Sequence, residues 1–270
     1  MLAALPQPPT HMVMPETAQA VFTLFIFAPL GVMLAFAIRM LVRGRDPLML
    51  ICMAGGLIAM FFEPIVDVLG LVWFPREHQW VAFEVFARPI PLLIPFVYTW
   101  FVGGQGYLAY RRFARGIDMR GVLTLWAAFA VCDVIIESPG VLAHTYTYYG
   151  HQPLNPWGLP FWWGWVNAVM PLLVAALVLK LRPVLGEGWK LLLLIPLVPM
   201  ADGMANAATA WPIWLTLNTE LSMVWTYAGA IVSLGLAVLA VWVIGLVVSD
   251  DPVQLKVTTD RADVPVLRVS

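Results

Sequence analysis

Seven stretches of this chain are each apolar enough and long enough to cross a lipid bilayer, which takes about 20 residues apiece. They run over residues 18–41, 47–74, 80–110, 121–142, 160–181, 190–216 and 222–248. Hydrophobic residues make up 61% of the chain and charged residues 11%, and the mean hydropathy is +0.84. A water-soluble domain does not have this composition. The expected fold is all-α, a seven-transmembrane-helix bundle over residues 18–248. It is flanked by a proline- and methionine-rich, flexible segment at 1–17 and a polar tail at 249–270. The first stretch is too long for a cleaved signal peptide and lacks its flanks.

The basic residues give the expected orientation. Arg39, Arg43 and Arg45 follow the first stretch, and Arg111, Arg112, Arg115 and Arg120 separate the third from the fourth. Lys180, Arg182 and Lys190 lie between the fifth and sixth, and Lys256, Arg261 and Arg268 lie in the tail, whereas the alternate loops hold only Arg76. Positive loops stay in the cytoplasm, so the N-terminus is expected outside and the C-terminus inside. The host membrane would be the plasma membrane, or the endoplasmic reticulum in a cell that has one.

Within these apolar stretches sit seven ionisable residues, six of them in pairs four residues apart: Glu63 and Asp67, Glu84 and Arg88, and Asp133 and Glu137. Asp202 is single. A charge at the middle of a membrane helix costs roughly 2.5–3.5 kcal/mol on insertion scales, so seven facing lipid would cost roughly 17–25 kcal/mol. That exceeds the ~5–15 kcal/mol by which a typical protein is stable. These groups must pair, stay neutral or line an internal cavity, and one arginine cannot neutralise six carboxyls. Residues four apart share one helix face, so two facing acids cannot both ionise comfortably and one of each pair is expected to hold a proton. Glu84 and Arg88 read as an intrahelical ion pair that would organise the pocket.

By position the acids fall between the middle and the outer end of their stretches, and only Gln105 is strongly polar in the cytoplasmic half. Prolines stand beside them at Pro64, Pro89, Pro139, Pro196, Pro199 and Pro212, where kinks would open space. Aromatic side chains crowd the same half. Phe83, Trp162, Trp163, Trp211, Trp225 and Tyr227 are candidates for the pocket wall or for an interfacial belt. Asn167 and Asn206 are candidates for hydrogen bonding to a ligand or between helices. The loop from Ala143 to Leu159 carries Tyr146, Tyr148, Tyr149 and Trp157 and suits either a cap or such a belt.

A protonated carboxyl in a dry, aromatic pocket suits protonation of an alkene or epoxide and guidance of the resulting carbocation. Glu63 and Asp133 are the leading proton donors, with Asp67 and Glu137 as their partners and Asp202 as a base or second donor. Length, span number, orientation and buried acids make the chain similar to the small integral-membrane terpene cyclases. These are the fungal meroterpenoid cyclases and the bacterial cyclases of farnesylated indole or diketopiperazine compounds. The resemblance implies acid-initiated, metal-free cyclisation of a hydrophobic prenylated substrate. Glu63, in Phe61-Phe62-Glu63-Pro64-Ile65-Val66-Asp67, matches the family's essential Glu in the second span, and Asp202 is the nearest match to its late Asp. The Asp133–Glu137 pair has no counterpart in that pattern.

No cofactor motif, metal-ligand spacing or basic nucleic-acid-binding run is present in the sequence. Cys52 and Cys132 both fall within apolar stretches and read as small buried hydrophobes. The expected partners are therefore the bilayer and an apolar small molecule. A proton-coupled transporter is the alternative, and a receptor or accessory subunit a further one. A retinal protein is disfavoured, because every lysine lies at or beyond the end of a stretch.

Overall fold

Six helical segments long and apolar enough to cross a membrane make the chain a multi-pass membrane protein: Glu16–Gly44, Leu48–Gly70, Met119–Leu142, Phe161–Leu185, Gly188–Leu217 and Met223–Val248. The computed structural model describes residues 6–249. The expected polar tail therefore lies, but for its first residue, outside the described residues. The helices are α1 (Glu16–Gly44), α2 (Leu48–Ala59), α3 (Glu63–Gly70), α4 (Leu93–Tyr98), α5 (Gln105–Phe113), α6 (Met119–Leu142), α7 (Phe161–Asn167), α8 (Val169–Leu185), α9 (Leu194–Leu217) and α10 (Met223–Val248). A 3₁₀ turn at Met60–Phe62 joins α2 to α3. It precedes Pro64, whose missing N–H frees a carbonyl one turn back.

The third stretch departs from expectation. Its helix begins only at Leu93 and continues through a π-helical segment, Thr99–Gly104, into α5. Residues 81–91 form an antiparallel hairpin instead, β2 (Val81–Val85) against β3 (Arg88–Pro91), with Glu84 opposite Pro89 and Val85 opposite Arg88. Pro89 and Pro91 explain the difference. Each lacks an N–H and disfavours helical backbone in the residue before it. Phe86 and Ala87 make the two-residue turn with φ of 53° and 55°, the left-handed pair that matches strand twist. Glu84 and Arg88 are therefore not an intrahelical ion pair. Glu84 is exposed and accepts from Arg76 Nη1 and Nη2 at 2.7 and 2.8 Å. The Arg76 hydrogen bonds hold its carboxyl below the usual range.

A cap closes one end of the bundle. Strands β1 (Val72–Trp73) and β4 (Thr147–Tyr148) pair antiparallel, Val72 with Tyr148 and Trp73 with Thr147. The Ala143–Leu159 loop is thus a cap. Arg88 fastens it: the buried guanidinium donates to Val72 O at 3.0 Å and to Tyr149 Oη at 2.6 Å. It also lies over the rings of Trp73 and Tyr149, 5.3 and 5.5 Å from their centroids. Buried Gln19 of α1 ties on the hairpin, donating to His78 O at 3.1 Å and accepting from Trp80 N at 2.7 Å. Just before α1, Met14 N donates to Glu77 O at 3.0 Å, and Val13 bridges Glu77.

Arg88→Met should lower stability by about 1–3 kcal/mol, since a buried carbonyl and a phenol lose their partner. Arg88→Lys should recover only part of this, because an ammonium cannot reproduce the planar fork. Thermal unfolding of the purified protein measures both.

Below the cap, small residues bring helix backbones together, as membrane packing requires. Gly56 of α2 and Gly103 of the π segment interlock: a Cβ on Gly56 would lie 2.6 Å from Tyr98 O, and one on Gly103 2.3 Å from Cys52 O. This contact sets the spacing between α2, which leads through the 3₁₀ turn to Glu63, and the helix that carries Tyr98.

Candidate functional site

Four of the predicted acids meet in one chamber beneath the cap. Glu63 and Asp67 enter from α3 and Asp133 and Glu137 from α6, all lining one open-mouthed cavity with about 730 Å³ of empty space, the open part included. The one-turn spacing within each pair places both members on the inward face. Asp202, fully buried on α9, stands behind Asn206, which does line the cavity and donates to Asp202 Oδ1 at 3.0 Å.

The acids differ in how they are held. Glu63 Oε2 accepts from Tyr98 Oη at 2.8 Å. The Glu63 carboxyl lines the cavity. Glu137 Oε2 accepts hydrogen bonds from two cap phenols, Tyr148 and, at 3.2 Å, Tyr146. Burial, and then the Glu137 charge, push both phenols well above their ordinary range, so they remain donors. Asn167 Nδ2 bridges the pair on α6, 3.2 Å from Asp133 Oδ1 and 3.4 Å from Glu137 Oε1. Asp133 Oδ2 is buried and has no hydrogen-bond partner. Asp67 is 2% exposed and its Oδ2 has no hydrogen-bond partner.

Among the described residues no chamber acid forms an ion pair; the ion pairs are Arg76–Glu84 and those of His78 with Glu16 and Glu77, all exposed. Arg88 is within electrostatic reach of Asp67, but its hydrogen bonds go into the cap. No group of three or more His, Cys, Asp or Glu among those residues is placed to hold a metal ion.

Aromatic rings line the cap side as a continuous wall. Phe22, Tyr146, Tyr148 and Trp163 follow one another at centroid distances of 6.3, 5.9 and 5.3 Å. Phe74 adds to it, 5.0 Å from Tyr146. Trp163 reaches the cavity over Gly70, where a Cβ would lie 2.3 Å from the indole. Gly164 gives similar room to Asp133: a Cβ there would come 3.1 Å from Oδ2.

No protein-family model, curated protein or solved structure matches this chain.

Of the residues expected to bind substrate, Trp163, Asn167 and Asn206 line the chamber. The others do not. Trp162 is fully buried behind Trp163, and Phe83 on the hairpin packs against Phe61, 5.2 Å away. Trp211, Trp225 and Tyr227 are exposed on the bundle's outside, where the belt reading fits them. Glu84 points to solvent and Arg88 serves the cap. Conversely, the phenol donors were not assigned from sequence as partners of the acids. For Tyr98 the signal was there, because a phenol within an apolar stretch needs a polar partner. For Tyr146 and Tyr148 it was not, since only the β1–β4 pairing carries that loop over Glu137.

Proposed function

We propose that the chain is a seven-span membrane enzyme, N-terminus outside and C-terminus cytoplasmic. Residues 93–113 form the seventh crossing. Its activity is that of a terpene cyclase, which starts carbocation cyclisation of a prenylated substrate, plain or epoxidised, by carboxylic-acid protonation. The observation that carries this reading is the convergence of unpaired carboxyls from separate helices on one aromatic-walled chamber.

Glu63 is the proton donor in this reading. Its carboxyl is held by Tyr98 and lines the cavity, which is the geometry a general acid needs. The Asp133–Glu137 pair supplies negative charge to the developing cation and takes up the proton that ends the reaction, with Asp67 and Asp202 in reserve. Ring faces of Trp163, Tyr146 and Tyr148 stabilise the cation, by about 2 kcal/mol or more where water is excluded. The deepest lining on α8 and the π segment, Met170, Phe101 and Val102, is apolar, which supports a blind chamber over a transport path.

The test is incubation of purified protein with farnesylated acceptors and their epoxides, followed by a search for cyclic isomers of unchanged mass. No isomer from any of them, together with substrate-driven proton flux in proteoliposomes, would replace this reading by transport. Tyr148→Phe should slow cyclisation about tenfold, the value of a hydrogen bond to a charged group at ~1.5 kcal/mol. Single-turnover kinetics measure this. Glu84→Gln, by contrast, should leave the rate unchanged.

A further inference from the structure

A cluster of buried carboxyls that forms no ion pair among the described residues is also an unfilled electrostatic site, whatever reaction it serves. Carboxylates taken out of water are compensated by a counter-charge or by protons, and the described residues provide no ion pair to the chamber acids. Asp67 makes the point locally: it is 2% exposed, it lines the cavity, and Oδ2 has no partner. The remaining walls are not those of a site for an inorganic cation. Facing the acids are aromatic rings and the aliphatic side chains of Ile26, Ile94 and Val97.

We propose that the chamber binds a hydrophobic ammonium ion, its head among Glu63, Asp67 and Glu137 and its alkyl chain along the apolar wall. N-methyl groups suit the faces of Tyr146, Tyr148 and Trp163, since aromatic cages recognise alkylated ammonium through ring faces. The tail suits the groove between Phe22 and Ile26 of α1 and Ile94 and Val97 of α4. The other polar groups facing the head are the phenols of Tyr98, Tyr146 and Tyr148, the Asp133 carboxyl and the amides of Asn167 and Asn206. Arg88 is occupied in the cap, and Asp202 lies behind Asn206. The ligand brings the charge, so the acid it meets gives up its proton. A neutral carboxyl and a free ammonium become a carboxylate–ammonium pair, and one proton goes to bulk water.

The inference rests on the chamber's charge and not on cyclisation. Ammonium binding without a cyclised product would uphold it and remove the cyclase; cyclisation without ammonium binding would do the reverse.

The experiment uses the full chain in nanodiscs of zwitterionic lipid, with empty discs as baseline. The probes are dodecyltrimethylammonium and its neutral isostere, which carries a tert-butyl head in place of the trimethylammonium. Calorimetry in weakly buffered medium should show saturable binding of the ammonium, with release of close to one proton per molecule bound. The isostere should bind at least tenfold more weakly and release none. Glu63→Gln and Glu137→Gln should each weaken ammonium binding about tenfold. Equal binding of the two probes, or ammonium binding without proton release, would overturn the proposal on the wild-type protein alone. So would wild-type affinity in a folded Glu63→Gln, Asp67→Asn, Glu137→Gln triple variant.

Discussion

Glu63→Gln should lower the cyclisation rate by about 10²- to 10⁴-fold, the usual worth of a general acid, with the protein still folded. Glutamine keeps the volume and can still accept from Tyr98, whose oxygen lies 2.8 Å from the carboxyl, so packing at the start of α3 is preserved. What is lost is the transferable proton of a carboxyl that lines the cavity. Substrate binding should change little, so the loss should appear in the single-turnover rate and not in the amount of substrate bound. Asp133→Asn should cost less, because Glu137, one turn away on α6, still lines the chamber. A Glu63→Gln protein that cyclises within a few-fold of wild type would move the donor elsewhere in the chamber.

Gly103→Ala is expected to produce the largest stability loss of any single methyl addition in the bundle, about 3 kcal/mol or more. The added Cβ would sit 2.3 Å from Cys52 O and 2.8 Å from both Cys52 C and Met53 Cα. All three are backbone atoms and cannot rotate away, so α2 and the π segment must separate. That separation would also pull Tyr98 from Glu63, so activity should fall with stability. Gly31→Ala is the control: no atom lies within 4 Å of its would-be Cβ, and alanine in a helix interior gains about 0.5–1 kcal/mol over glycine. Thermal unfolding of the two variants should move in opposite directions.

Much of this was legible in the order of residues. Hydropathy located the helical segments because lipid leaves the backbone no alternative to internal hydrogen bonding. The i, i+4 spacing placed Glu63 with Asp67 and Asp133 with Glu137 on shared faces, because α3 and α6 are regular there. The same spacing misled at Glu84 and Arg88, because a run of apolar residues does not distinguish a buried strand from a helix. Pro89 and Pro91 were the overriding signal, and they turn that segment into a hairpin that latches the cap. The cap contacts were beyond sequence reasoning, since Tyr148 reaches Glu137 only through pairing with Val72, 76 positions earlier in the chain. Trp211, Trp225 and Tyr227 could not be divided between wall and belt without knowing which way α9 and α10 turn.

Infrared spectroscopy of the lipid-embedded protein at neutral pH tests the central claim, that unpaired carboxyls share one dry chamber and hold protons there. A protonated carboxyl C=O band should be present, should shift on exchange into heavy water, and should lose intensity in Glu63→Gln and again in Asp133→Asn. A spectrum with only ionised carboxylates, or a protonated band unchanged by every substitution among Glu63, Asp67, Asp133, Glu137 and Asp202, would contradict it.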